Sequence, residues 1–524
     1  MPVANDSALP GKAGISIRQF RTDQASQRRE LRRRLYEPQA DQELLPAKGL
    51  AACKFVARAA VLAALAAIVA HQICLVFDLN YKNYGEGPIL AFVERMQSES
   101  ISASWASRPP YALSCYGPAF YWLADAAARA SGFEHSVVPG RAVALATGLL
   151  TACLAAVIAG RRTQSVEIGL LAALMFLASL PVAEWFPFAR VDTLALVFSA
   201  GAFLAVGPGV RGAVLPALLI AAGSLAKPTA ALSAAPIFLH FLAHARYRDA
   251  ARFAGAACVL GAAAWGGAEW ASDGFFLTSV LKGNRNPMIL WRGYSHAYAF
   301  LSSPLGAVAT ITSAVLLVAS PARFVRSLYS LGFAVSMAIS AVIACKKGSE
   351  LNYFLDPAWL GSLAIAIEGL PRLRALDARR SLLAAAFLAA LVAVPYLREM
   401  KVRYRSPLKR PETFEVVRRC LADEPAETEV LADGKTIPMV LETGRRPWVS
   451  DPYLYALLVD NGTLDPAPLI ERIEDGRIKW LIFRRSIEFH HENTGCWPPE
   501  ATAIFPKYFE LASTQAGLFI YRHR

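Results

Sequence analysis

The stretch Phe77-Asp78-Leu79-Asn80-Tyr81-Lys82-Asn83-Tyr84-Gly85-Glu86-Gly87-Pro88 directly follows the first long apolar segment of the chain. An apolar run that closes on an acid, with a second acid held between two glycines shortly after it, places carboxylates at the lip of a membrane. Ionisable groups kept at that depth are costly, so they usually sit in a polar cavity and serve chemistry or transport. Gly85 and Gly87 free the backbone for a tight turn or a close approach. Pro88 suits the first turn of a helix. Glu86 is therefore the leading carboxylate and Asp78 the second. The plainer reading of Glu86 is an acid at the positive end of that helix, although a capping acid needs no flanking glycines.

Composition supports the membrane reading. The chain has 524 residues, 55% of them hydrophobic, and a mean hydropathy of +0.35, which indicates an integral membrane protein rather than a soluble enzyme. The formal net charge of +13 is concentrated in the first sixty or so residues and in short loops between apolar segments, a pattern of topology rather than of nucleic-acid binding. Eight cysteines are scattered with no CxxC pair, which argues against a structural zinc site. Cys420 and Cys496 lie in the polar tail and could pair in an oxidising compartment.

Residues 1 to 53 are polar and basic, with Arg28-Arg29 and Arg32-Arg33-Arg34 as the dense cluster, and read as a cytoplasmic arm able to touch anionic lipid. No apolar region follows those charges closely, so a cleavable signal peptide is not expected. A first span is expected at 55 to 77. Apolar segments follow at 139 to 159, 166 to 183, 191 to 206, 211 to 224, 228 to 243, 251 to 271, 299 to 319, 327 to 345, 353 to 370 and 381 to 397. Together these predict an α-helical polytopic protein of about eleven spans. In the first outer loop, 78 to 138, two interfacial amphipathic helices are expected. One carries Ile89, Leu90, Phe92, Val93 and Met96 opposite Glu94, Arg95 and Glu99. The other lies near 118 to 130, where Tyr116, Phe120, Tyr121 and Trp122 supply an aromatic belt.

With a cytoplasmic N-terminus the inner loops hold Arg161-Arg162, Arg211, Arg246 with Arg248 and Arg252, Arg323 with Arg326, and Arg372 through Arg380. All are basic, as the positive-inside bias requires. The opposite loops hold Glu184, Arg190 and Asp192; Lys227; Lys282, Asn284, Arg285, Asn286 and Arg292; and Lys346, Lys347, Glu350 and Asn352. Cations there run against the bias, and a phosphate-bearing ligand would repay them through charge-assisted hydrogen bonds. For any single one, snorkelling at the interface explains it equally well. After residue 400 the pattern alternates strand-like pieces (Glu429-Val430-Leu431-Ala432, Trp480-Leu481-Ile482-Phe483, 518 to 521) with helix-like ones (452 to 459, 468 to 474). This predicts a small extracytoplasmic α/β domain over 401 to 524, following a transmembrane part over 54 to 400.

The motifs Tyr84-Gly85-Glu86-Gly87, Tyr116-Gly117-Pro118 with Phe120-Tyr121-Trp122, Arg190-Val191-Asp192, Lys227-Pro228, and Lys347-Gly348 leading to Asn352-Tyr353-Phe354 stand in an order that resembles the GT-C superfamily. Its bacterial family 39-like branch includes aminoarabinose transferases and relatives of protein O-mannosyltransferases. The resemblance covers most of residues 55 to 370. It lacks the Asp-Glu pair that opens the loop in aminoarabinose transferases, so either Asp78 or Glu86 could take the catalytic position.

What the resemblance implies is a glycosyltransferase of the bacterial cytoplasmic membrane. It would move a sugar from a polyprenyl-phosphate donor to a lipid, glycan or protein acceptor on the outer face. The chemistry needs a base for the acceptor hydroxyl, here Glu86 or Asp78, with Asp192 as a positioning acid or an ion-pair partner of Arg190. It also needs cations to hold the departing phosphate, and Lys227, Arg285, Arg292 and Lys347 are the candidates. Tyr84, Asn284, Asn286, Asn352 and Tyr353 are candidate sugar ligands. A divalent ion could sit between such acids, though no motif fixes one. These groups are expected to share one hollow at the outer rim of the bilayer. A transporter or flippase of lipid-linked sugar is the main rival, but its binding groups would lie near the bilayer midplane, and here the ionisable groups gather at one set of segment ends. An oligosaccharide polymerase or ligase is the second rival, and the modest loop from 272 to 298 argues against it.

Overall fold

The computed structural model describes residues 47–78, 83–133, 135–373, 396, 412–492 and 496–524. The basic arm up to residue 46, the tip of the following loop at 79 to 82, and the span expected at 381 to 397 apart from Tyr396 lie outside the described residues, and residues 47 to 53 of the arm open the first helix, Ala47–Val76.

Three described helices are long and apolar enough to cross a membrane: Arg58–Val76, Val138–Thr163 and Gly209–Ala226. Leu290–Leu301 and Pro304–Ala319 pass only as a pair, bent by 86°. The short segment expected at 211 to 224 is one of the three. Others expected as spans are helical but shorter, namely Val166–Leu177, Asp192–Ala205, Pro228–Ala243 and Leu328–Ile343. Their breaks have chemical causes. Ser179-Leu180-Pro181 and Lys227-Pro228 stop helices because a proline disfavours the α conformation of the residue before it and cannot donate to the helical ladder. Small residues let the helices approach closely, and Phe176, Phe186, Phe203, Phe354 and Trp359 fill the shared core.

The two loop helices form, at Glu86–Ser98 and Ala119–Ser131, but their apolar faces point elsewhere than expected. Phe120 and Tyr121 are buried, and of the expected belt in this helix Trp122 is the ring left exposed. All of Glu86 to Glu94 is buried, because the helix is covered on two sides. Ile89, Phe92 and Val93 pack with Trp105, Phe120, Tyr121, Leu194 and Phe275. Leu90 and Ala91 pack instead on a sheet from the end of the chain.

That sheet has four strands in the order β1-β2-β4-β3: β1 Glu429–Ala432, β2 Ile478–Phe483, β3 Phe509–Gln515 and β4 Leu518–His523. β1 and β2 are parallel and the remaining pairs antiparallel. The helices Ile437–Leu441, Pro452–Asp460 and Ala467–Glu474 make the crossover that parallel pairing requires. Side chains alternate as a pleat dictates. Val430, Ala432 and Ile482 face Leu90 and Val417. Leu431, Leu481 and Phe483 face Trp448, Tyr455 and Trp497. The sheet belongs to the same compact unit as the helices before it, and the Tyr111 backbone exchanges hydrogen bonds with Trp448 (2.8 Å) and Ser450 (2.8 Å). Cys420 and Cys496 are both free and lie beside different apolar clusters of this sheet, so the expected pairing does not form.

Glu94 supplies a first test. Burial raises its carboxyl to about 7, although His135 and Arg446 pull it down, and His135 Nδ1 lies 3.2 Å from its Oε1. A carboxyl raised in the folded state stabilises it fully below the unfolded value and loses that contribution as pH climbs through the folded one. Stability should therefore fall by roughly 2–3 kcal/mol between about pH 5 and 8. The Glu94→Gln protein should show a flatter profile in thermal unfolding at a series of pH values.

Candidate functional site

Three local breaks in helical structure build the site. Gly209–Ala226 ends where Pro228 forces Lys227 into an extended conformation (φ −142°, ψ 121°), which turns the lysine inward. Asp192 is the first residue of Asp192–Ala205, where the helix dipole favours a negative charge. Asn352 sits in a single 3-10 turn, Leu351–Phe354. Together they converge on one carboxylate oxygen: Asp192 Oδ1 accepts from Lys227 Nζ at 2.6 Å and from Asn352 Nδ2 at 2.8 Å. Lys227 Nζ also stands 4.2 Å from the centre of the Tyr353 ring.

Arg190 completes the group. It lies against the rings of Tyr116 and Trp185 and donates to the Tyr116 hydroxyl at 2.8 Å. Its Nε is 3.6 Å from Asp192 Oδ2, too far for a hydrogen bond. Arg190 Nε, Asp192 Oδ2 and Asn352 Oδ1 are thus buried without a hydrogen-bond partner. Burial would push the Lys227 ammonium down, but the Asp192 carboxylate outweighs it and holds the group above its usual range. The neighbouring Lys346 is pushed the other way, by burial and by repulsion from Lys227. Asp192, Lys227, Asn352 and Tyr353 line a narrow cleft that continues to Ser233 and Asp356.

Glu86 has a different place. Its carboxylate is fully buried, takes a two-pronged bond from Arg141 (Nε to Oε1 2.7 Å, Nη2 to Oε2 2.8 Å), and accepts from the Ala189 backbone N–H at 2.9 Å. Arg141, 1% exposed, also donates to the carbonyls of Leu75 (3.0 Å) and Asp78. One ion pair thereby ties the end of the first helix, the loop that follows it and the segment before Arg190. With both oxygens committed, Glu86 is poorly placed to take a proton from a substrate. Asp78 is buried beside the undescribed loop tip, and its carbonyl belongs to the Arg141 cluster.

The flanking glycines serve packing. A Cβ on Gly85 would fall 1.5 Å from Arg190 Nη1, and one on Gly87 would fall 2.1 Å from the Gly434 carbonyl oxygen. Gly85→Ala should therefore displace Arg190, costing about 1–3 kcal/mol in unfolding experiments.

The other expected ligands do not share the cleft. Tyr84 donates to Asp451 Oδ1 (3.0 Å) and accepts from the Tyr453 N–H (2.7 Å). Asn284 and Asn286 spend their amide donors on the Cys115 and Lys347 carbonyls, at 3.0 and 2.7 Å. Arg285 is exposed. Arg292 acts electrostatically on Tyr453, and Lys347 on Cys496. The single hollow expected from sequence is thus divided: Asp192, Lys227, Asn352 and Tyr353 meet, with Arg190 joining them to Gly85, while Arg292 and Lys347 stand toward the C-terminal segment and Arg285 is exposed. Among the described residues, no three His, Cys, Asp or Glu side chains are grouped to hold a metal ion.

The chain superposes over most of its length on solved structures of the GT-C fold, and that fold is what it shares with them. ArnT from Cupriavidus metallidurans, solved bound to undecaprenyl phosphate, superposes with a TM-score of 0.58 at 13% identity, over 88% of this chain and 97% of ArnT. The apo form gives 0.59 at 13%, over 90% and 98%. The Archaeoglobus fulgidus oligosaccharyltransferase in its apo form gives 0.53 at 12%, over 88% and 74%. No family model matches the sequence, and no curated protein does.

Proposed function

We propose that this protein is a membrane glycosyltransferase that moves a sugar from a polyprenyl-phosphate donor to a lipid, glycan or protein acceptor at the outer face of the bacterial cytoplasmic membrane. The observation that carries the reading is the Arg190–Asp192–Lys227 array beside a narrow cleft. Asp192 keeps two cations charged inside the protein, and Lys346 adds a third positive group with no acid paired to it among the described residues. An arriving phosphate gains bonds from cations already desolvated and oriented, and those bonds strengthen as the departing phosphate takes up charge. Asn352 and Tyr353 would position the head group. Asp78 and Glu86 are the candidates for the base in this reading, and Arg141 holds both oxygens of Glu86. The solved relative bound to undecaprenyl phosphate supports the donor class.

The test compares envelope glycans and lipid-linked sugar pools in cells with and without the protein, then reconstitutes transfer from the donor that accumulates. An unchanged pool and an unchanged envelope would overturn the reading. With an active preparation, Asp78→Asn should abolish transfer.

A further inference from the structure

Below Lys227 the cleft carries polar groups that phosphate binding does not use. Asp356, in the first turn of Leu355–Ala364, is half-buried and lines the cleft. Its Oδ1 lies 3.4 Å from Ser233 Oγ, a long contact, and Ser233 Oγ in turn donates to Ser199 Oγ at 3.1 Å. Asn352 Oδ1 lines the same space, buried and unpartnered. Lys227 is the one cation among the residues lining this cleft, against the two acids Asp192 and Asp356. Acceptor groups gathered in an apolar bundle persist only where something supplies the donors they lack. Hydroxyl or amino groups of a ligand would do so, whereas a further carboxylate would be repelled.

We infer that Asp356, with Ser233 and Asn352, forms the head-group subsite of the donor and selects a neutral or amino sugar over a uronic acid. This rests on the proposed function. The phosphate would sit at Lys227 and the sugar would point down the cleft, so that Asp356 accepts from a sugar hydroxyl or amine.

Binding of two probes to the full-length protein in nanodiscs separates the subsite from the phosphate site: bare polyprenyl phosphate, and the same lipid carrying a neutral hexose. Asp356→Asn should weaken binding of the hexose lipid about tenfold and that of the bare phosphate less than twofold. Ser233→Ala, a milder change, should weaken the hexose lipid about threefold. A uronate-bearing lipid should bind wild type at least about tenfold more weakly than the hexose lipid, and Asp356→Asn should narrow that gap. Equal effects on both lipids in properly folded variants, no effect on either, or a uronate lipid that binds as well as the hexose one would overturn the subsite while leaving the proposed transfer standing. Wild type that binds no polyprenyl phosphate at all would overturn both.

Discussion

Glu86→Ala protein is expected to accumulate poorly in membranes, with a loss of about 3–5 kcal/mol, because it strands the Arg141 guanidinium in a buried site without its counter-charge. Arg141→Ala should be equally damaging. The informative variant is the double exchange Glu86→Leu/Arg141→Met, which removes both charges and keeps most of the volume. Replacing a whole buried ion pair by packed apolar groups is often neutral, so this protein should recover most of the lost thermal stability. If Glu86 were instead the base, the double variant would fold and be inert. Measured side by side, unfolding temperature and transfer rate distinguish the two roles. Restored folding with restored transfer assigns Glu86 to structure; restored folding with transfer still abolished would return it to the chemistry.

The second large effect concerns Lys227. Lys227→Met should lower kcat/KM for transfer by about 10²- to 10³-fold, the scale seen when one group that stabilises transition-state charge is removed. It should also destabilise the protein, since Asp192 then keeps the Asn352 hydrogen bond but has Arg190, at 3.6 Å, as its remaining counter-charge. Asp192→Asn combined with Lys227→Met removes the closer pair of charges and leaves Arg190 on the Tyr116 hydroxyl, so part of the stability should return while transfer does not. Lys227→Arg should retain part of the activity, because the charge survives but its geometry differs. Transfer within about threefold of wild type in the Lys227→Met protein would remove the lysine from the mechanism.

Much of this site could be read before the structure, and for identifiable reasons. Lys227-Pro228 and the apolar run leading to Asp192 are local signals: a proline ends a helix, and an acid settles at a helix start. Asn352-Tyr353 was legible for the same reason, as polar residues interrupting an apolar run. Pairing across the chain was not legible. Glu86 and Arg141 are 55 positions apart, yet a signal existed. Arg141 stands alone near the start of the longest span, Val138–Thr163, and an arginine there calls for an acid nearby. The glycines beside Glu86 suggested ligand approach, but the close neighbours are Arg190 and the Gly434 backbone, which only tertiary structure supplies. The strand at Phe509–Gln515 escaped notice because it is an edge strand, exposed along most of its length, without the alternation a covered strand displays. Asp356 is not legible in the sequence, because one acid in an apolar segment gives no hint of the serines that tertiary packing brings to it.

The two-sided cover of helix Glu86–Ser98 bears on how the chain is made. The helix is complete within the first hundred or so residues, yet the strands that shield Leu90 and Ala91 come more than 300 residues later. At about 5–20 residues per second, the ribosome needs roughly 15–70 s to deliver them, and for that interval an apolar stripe stands uncovered. A message cut short before codon 429 would thus yield polypeptides with that stripe permanently bare, marked for the cell's proteases.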